Sequence, residues 1–368
     1  MFDLHPFALE DFFANLKPRA GLIKLASSDA APWTMEEVFT HCPHLRTEFE
    51  QLSFDYPDVN ESLVPALRNF CKPPTGMDVL AVSGAAEAIF LILTERRSQR
   101  DDQLRVAVPR PSYGAFAGIS HLLGCEIIEY EYKNGGDWSL DADSLRRAAT
   151  NADIVIINNP HNPTGRIIDK KLLREISDIV AKKQGTLLVD EVFRLPEDCP
   201  SATHLGTHVT VISSLSKVYG MPGLRLGWIV TSKTNIGRLR TLQQYTTLTP
   251  NVFAQAVGTE VIKHHNSFSR RDLLQKNRSV LLTWAQENSG CVRLIAPEAG
   301  TTAVLEINSN QSEDGLFKLF ENSGVLLVPG SRCFGVNNMK AWFRLGYGAS
   351  ETDLQRGLDT ISRALRST

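Results

Sequence analysis

A lysine at position 217 follows Ser213, Ser214 and Ser216 in the segment SSLSKVYGMPGLRLGW, after an apolar run and before a glycine-containing turn. An amine so placed is poorly explained as a solvated surface charge. It is the group that condenses with an aldehyde, and partial burial or a neighbouring cation makes it nucleophilic. Eight residues on, Arg225 offers a fixed positive charge to a phosphate, and the Ser214 hydroxyl can add a hydrogen bond to the same anion. Gly84, Ala85 and Ala86 begin an amphipathic helical stretch after another apolar run. Free backbone N–H groups at such a helix start favour an anion, although small residues there also serve packing alone.

Two further segments carry polar groups in unusual positions. Asp190 closes the run TLLVD, where a carboxylate deep in a sheet is costly unless it meets a cation. The stretch NNPHNPTG, residues 158–165, reads as a tightly turned loop, and its Asn162 can donate and accept hydrogen bonds at once. Tyr113, in PRPSYG, can lay its ring against a planar ligand or simply pack. The six cysteines are scattered with no C-x-x-C pair, which points to buried thiols. His41, Cys42 and His44 lack a second ligand pair at a recognised spacing, so no metal site is expected.

These groups need a scaffold that brings distant segments together. Between residues 79 and 230 the runs VLAV, RVAV, DIVIIN, TLLVD, VTVISS and GWIV alternate with helical stretches, the pattern of an α/β domain with a mostly parallel sheet and helices on both faces. The first five runs end at polar or loop-forming residues, and in open α/β sheets ligands bind outside the carboxyl ends of the strands. One site built from five loops is therefore expected. After about residue 249 helical patterns dominate, broken by TTAVLEI and GVLLVPG. The sequence ends with Ser350 and Asp353 spaced as a capping box, and with Leu354, Leu358, Ile361 and Leu365 on one helical face. We expect a large cofactor-binding domain over 49–250 and a smaller α+β domain from 1–48 and 251–368.

Length and composition agree. The 368 residues, 42% hydrophobic and 22% charged, are ample for a large core, and a net charge of −2 argues against a phosphate-backbone binder. No apolar run approaches the ~20 residues of a membrane span. The first seven residues lack a basic stretch followed by an apolar core, so a cytoplasmic location is expected.

Taken together, SGAAEA, PRPSYG, NNPHNPTG, VDEVF, SSLSK and GLRLGW closely resemble the fold-type I pyridoxal-phosphate enzymes of the class I/II aminotransferase superfamily. The ordered set is specific where each motif alone is weak. The resemblance implies that Lys217 bonds to the aldehyde of pyridoxal 5'-phosphate, Asp190 pairs with its pyridine nitrogen, Asn162 contacts its ring hydroxyl and Tyr113 stacks on the ring. It further implies that Ser214, Arg225 and the amides following Gly84, those of Ala85 and Ala86, hold the phosphate. Arg344, in FRLGYG, matches the arginine that grips a substrate α-carboxylate, and Tyr56, in YPD, the tyrosine that reaches the neighbouring subunit's phosphate in a homodimer.

Some residues depart from the family pattern. Phe193 stands where relatives carry a tyrosine that donates to the ring hydroxyl, which implies a more basic bond between Lys217 and the cofactor. The usual substrate loop is replaced by LASSDAAPWT, and no glycine follows YPD. The N-terminal ALEDFF, the loop with Ser27 and Ser28 and the phenylalanine at 193 are similar to cyclases of the capreomycidine synthase type. That resemblance implies elimination from a hydroxylated arginine and ring closure, with Ser27, Ser28 and Asp29 holding the guanidinium, since hydroxyls and a carboxylate suit its planar donors. Helix capping is the alternative role for those three residues. An ordinary amino acid:2-oxo acid aminotransferase is the alternative function. A non-enzymatic cofactor sensor is the remote one, as no basic helix-turn-helix pattern precedes residue 50.

Overall fold

The computed structural model describes residues 6–17, 19–53, 55, 62–133, 136–336 and 340–367. In sequence order its strands are β1 (Ile23–Lys24), β2 (Met77–Val82), β3 (Arg105–Arg110), β4 (Glu126–Glu131), β5 (Ile154–Asn158), β6 (Thr186–Asp190), β7 (Val209–Ser214), β8 (Gly227–Ser232), β9 (Val292–Ile295), β10 (Thr302–Ile307), β11 (Val325–Leu326), β12 (Val328–Pro329) and β13 (Trp342–Gly346). Strands β2 to β8 form one seven-stranded sheet in the order β2-β8-β7-β6-β5-β3-β4. Pairings from β4 to β7 are parallel, and β8 runs antiparallel to both its neighbours.

The burial pattern explains which strands could be read from sequence. Every residue of β5 and β6 is buried, as expected of parallel strands covered on both faces, so IVIIN and TLLVD stand out as apolar runs. Strand β4, EIIEYE, lies at the sheet edge with its glutamates exposed, and its charge hides it from a search for apolar runs. One core cluster takes in Val82, Ile89, Ile92, Val106, Ile156, Leu188 and Ile212. Another takes in Val79, Val155, Leu187, Val189 and Val211. Neighbouring positions along β5, β6 and β7 thus contribute to different clusters, as period-two alternation requires.

Register then assembles the strand ends. Asn158 pairs with Asp190, and Asp190 with Ile212, so the backbone leaving β7 through Ser214 to Lys217 emerges beside the carboxylate that ends β6.

Beyond the large sheet lie a four-stranded antiparallel sheet, β12-β13-β10-β9, and a parallel pair, β1 with β11. Arg344 sits in the middle of β13, opposite Val304 and Val328. The last helix, Glu351–Arg366, has the Ser350 hydroxyl accepting from the Asp353 N–H, and it buries Leu354, Leu358 and Ile361 while Leu365 packs partly buried. Among the described residues no helix is long and apolar enough to cross a membrane.

Candidate active site

A cavity of about 770 Å³ opens at the carboxyl ends of the parallel strands, a size suited to a cofactor-sized ligand. Lys217 lines it, and its Nζ donates to Ser28 Oγ and to Asp29 Oδ1, each at 2.9 Å. Asp190 lines it from the end of β6, 3% exposed, accepting at Oδ1 from the Val192 N–H at 3.0 Å. Burial pushes the Asp190 carboxyl up to about 7, against the opposing pull of that hydrogen bond and of the Lys217 charge.

The 158–165 loop brings in the next pair. The Asn162 N–H donates to Asn158 Oδ1 at 2.7 Å, which fixes the loop to the strand it leaves. Asn162 Oδ1 accepts from Arg344 Nη1 at 3.3 Å, while Arg344 Nη2 donates to the Ala26 carbonyl at 2.8 Å. Arg344 Nε is buried without a hydrogen-bond partner. Burial lowers the guanidinium to about 10. Tyr113 lines the same cavity with its ring 5.2 Å from that of Phe7, and burial pushes its phenol up to about 12, with the charges of Glu10 and Asp190 adding to the effect.

Across the cavity, Ala85 and Ala86 begin the helix Ala85–Ser98, whose N-cap Gly84 has φ +101°. A Cβ on Gly84 would lie 2.6 Å from Arg225 Nη2, so only glycine there lets the guanidinium lie against the helix start. Arg225 donates to the Pro222 carbonyl at 3.1 Å. Ser214, 1% exposed, accepts from the Ser216 N–H at 3.2 Å.

Ser27, Ser28 and Asp29 line the cavity beside Lys217. Their segment lies against β13 because Gly346 has no side chain: its Cβ would fall 1.7 Å from the Ser27 carbonyl oxygen. The Gly346 N–H donates to the Leu25 carbonyl at 2.7 Å, and the Ala30 N–H to the Lys217 carbonyl at 3.0 Å. Thus the structure brings together at one cavity Ser27, Ser28, Asp29, Ala85, Ala86, Tyr113, Asn162, Asp190, Ser214, Lys217, Arg225 and Arg344, while Gly84 is not among the lining residues and caps the helix that Ala85 begins. Tyr56 lies outside the described residues. Among the described residues no group of three or more His, Cys, Asp or Glu is placed to hold a metal ion.

Sequence reasoning missed part of the wall. Leu9, Glu10 and Phe13 of the helix Ala8–Ala14 reach the cavity, as do Lys17, Arg19 and Lys24. ALEDFF stands out only through its resemblance to the cyclases, and nothing in a short amphipathic helix tells which cavity it meets.

These residues fit a phosphorylated pyridine aldehyde. A buried carboxylate awaits a cation, a glycine-shaped cradle joins Arg225 to a helix start for an anion, and a lysine amine stands at the same cavity.

Comparison with known proteins agrees with that chemistry. The model of the family "Aminotransferase class I and II" matches residues 39–361. Capreomycidine synthase of Streptomyces vinaceus is 29% identical over 353 residues, 93% of this chain and 89% of that protein. A pyridoxal-phosphate-dependent aminotransferase from Streptococcus suis superposes with a TM-score of 0.88 at 26% identity, covering 99% of this chain and 98% of that one. The pyridoxal-phosphate-dependent cyclase OrfR shares the fold, with a TM-score of 0.84 at 24% identity over 99% of this chain and 97% of that one. The protein belongs to the aminotransferase class I and II family and is a pyridoxal-phosphate-dependent enzyme of that family.

Proposed function

We propose that this enzyme removes water from a hydroxylated arginine and closes the guanidine onto the rest of the substrate, giving a cyclic guanidino amino acid. The observation that carries the reading is the Ser27–Asp29 loop, which sets a carboxylate and two hydroxyls at the cavity, where the planar donors of a guanidinium would find acceptors. The likeness to capreomycidine synthase along nearly the whole length supports it.

The bound cofactor supplies a sink for the electron pair left when a bond to the α-carbon breaks. Asp190 is assigned to its ring nitrogen, Asn162 to its ring hydroxyl and Tyr113 to its face. Ser214, Arg225 and the amides of Ala85 and Ala86 after Gly84 are assigned to its phosphate. Arg344 takes the substrate's α-carboxylate as a fork of two donors. The Lys217 amine accepts the α-proton and returns a proton later. The bond from substrate carbon to the hydroxyl oxygen breaks, and the oxygen leaves as water. A guanidine nitrogen bonds to the substrate carbon skeleton and gives up its own proton, so the net change is loss of one water. Ser27, Ser28 and Asp29 orient the guanidinium for that closure. The protein acts as a homodimer, with Tyr56 reaching the partner's phosphate.

Transamination is the second reading, favoured by the several aminotransferases among the relatives, such as the aspartate aminotransferase of Pyrococcus abyssi at 22% identity over 84% of this chain and 82% of that protein. One experiment separates the two: hydroxyarginine isomers are added without any 2-oxo acid. Cyclisation yields a product lighter by one water with the cofactor spectrum restored. Transamination instead leaves pyridoxamine phosphate and a keto acid, and that outcome would end the cyclase reading.

A further inference from the structure

We propose that Asp29, together with Ser28, is the station that holds the Lys217 amine whenever it is not bonded to the cofactor, which makes Asp29 a positioning residue for proton transfer as well as a substrate contact. The proposal rests on the pyridoxal-phosphate reading given above.

The geometry divides Asp29 by oxygen. Oδ1 accepts from Lys217 Nζ at 2.9 Å, and Ser28 Oγ accepts from the same nitrogen at 2.9 Å. Oδ2 instead accepts from Ser27 Oγ at 3.1 Å. The side groups of Lys217 and Asp29 are 27% and 26% exposed, so the pair is partly shielded, where charge-assisted hydrogen bonds are stronger than at an open surface.

The backbone also locks the two partners together. The Ala30 N–H donates to the carbonyl of Lys217 itself at 3.0 Å, and the Ala31 N–H to the Gly348 carbonyl at 2.7 Å. The Thr301 hydroxyl donates to the Ser28 carbonyl. A loop fastened to the lysine's own backbone keeps Oδ1 and Ser28 Oγ in fixed relation to the root of that residue. An ε-amine not bonded to the cofactor would have a defined place to stop. Ser27 Oγ, which also accepts from the Asp29 N–H at 3.1 Å, steadies Oδ2, whose second lone pair is left for a cationic substrate group. For Lys217 to bond to a cofactor aldehyde, its amine would first have to leave Asp29 Oδ1 and Ser28 Oγ.

The test uses full-length protein stripped of cofactor with hydroxylamine and mixed with pyridoxal phosphate. Uptake is followed by absorbance, and the bond is located by borohydride reduction and peptide mass. Asp29→Asn is expected to take up cofactor about 5-fold faster and Ser28→Ala about 2-fold faster, the size of a partly exposed ion pair and of one hydrogen bond. Exchange of the α-hydrogen of L-arginine in heavy water, read by NMR, is expected to show kcat lowered about 10-fold in Asp29→Asn, because the released amine is no longer held in place. Uptake at the native rate in both variants would overturn the proposal, as would a rise in KM for arginine at unchanged kcat, which would leave Asp29 a substrate contact alone. Failure of borohydride to label Lys217 in the native protein would instead bring down the cofactor reading and this proposal together.

Discussion

Arg344 Nη1 donates to Asn162 Oδ1 at 3.3 Å, a contact between residues 182 positions apart. It ties the small antiparallel sheet to the loop that leaves the large one. The same guanidinium reaches the Ala26 carbonyl, so three segments meet on one buried cation while Nε stays without a partner. Although burial lowers Arg344 to about 10, it remains charged at neutral pH.

Arg344→Lys should therefore keep the cofactor and lose the substrate. A lysine keeps a charge but not the two-pronged fork. We expect KM for the amino acid to rise about 100-fold, with pyridoxal phosphate binding unchanged by absorbance titration. A parallel loss of cofactor would show that Arg344 serves mainly the Asn162 loop.

Asp190 gives a pH signature in cofactor-stripped protein. Its folded value is raised from 3.8 to about 7 by burial, so its stabilising contribution is full below pH 3.8 and is lost as pH rises through 7. The loss amounts to about 4 kcal/mol across that window. Urea unfolding of Asp190→Asn at pH 5 and pH 7.5 should show a smaller fall in stability than the native protein. Added pyridoxal phosphate should shrink the native slope, because the ring nitrogen supplies the missing cation.

His161 works in the opposite sense. Its Nε2 faces the Pro111 carbonyl and its Nδ1 the Thr164 hydroxyl, each at 2.9 Å, and its ring stacks on Tyr132 at 3.6 Å. These contacts join the Tyr113 loop to the Asn162 loop. Burial lowers His161 from 6.5 to about 3, so its contribution is present above pH 6.5 and fades as pH falls toward 3. His161→Gln is expected to cost about 2 kcal/mol at pH 7 and to flatten the decline in stability between pH 6.5 and 5. Denaturant midpoints at pH 7, 6.5 and 5 check both statements.

Phe193 lines the cavity with its ring centre 5.9 Å from Lys217 Nζ. Phe193→Tyr would place a donor where the wall is apolar. The bound cofactor's visible band should then titrate about one pH unit lower, a shift equal to a single added hydrogen bond. An unmoved titration in the variant would show that the added hydroxyl does not reach the cofactor.

Much of this is legible from residue order alone. Runs such as IVIIN and TLLVD, short, apolar and set between polar loops, read as strands buried on both faces, and the cofactor chemistry comes from the family resemblance that the ordered motifs carry. Strand β4 is not legible, since an edge strand tolerates alternating glutamates. That Glu10 and Phe13 of ALEDFF wall the cavity is not legible either, because local pattern reports a helix and not what its residues meet.

The amino-acid order by itself determined the mostly parallel sheet and, through the resemblance its ordered motifs carry, the family, because hydrophobic periodicity and motif order are local properties. Partnership is not local. That Asp29 rests on Lys217 and Arg344 on Asn162 was decided only by folding, through strand register and through Gly346, which lets a distant loop lie within contact of β13.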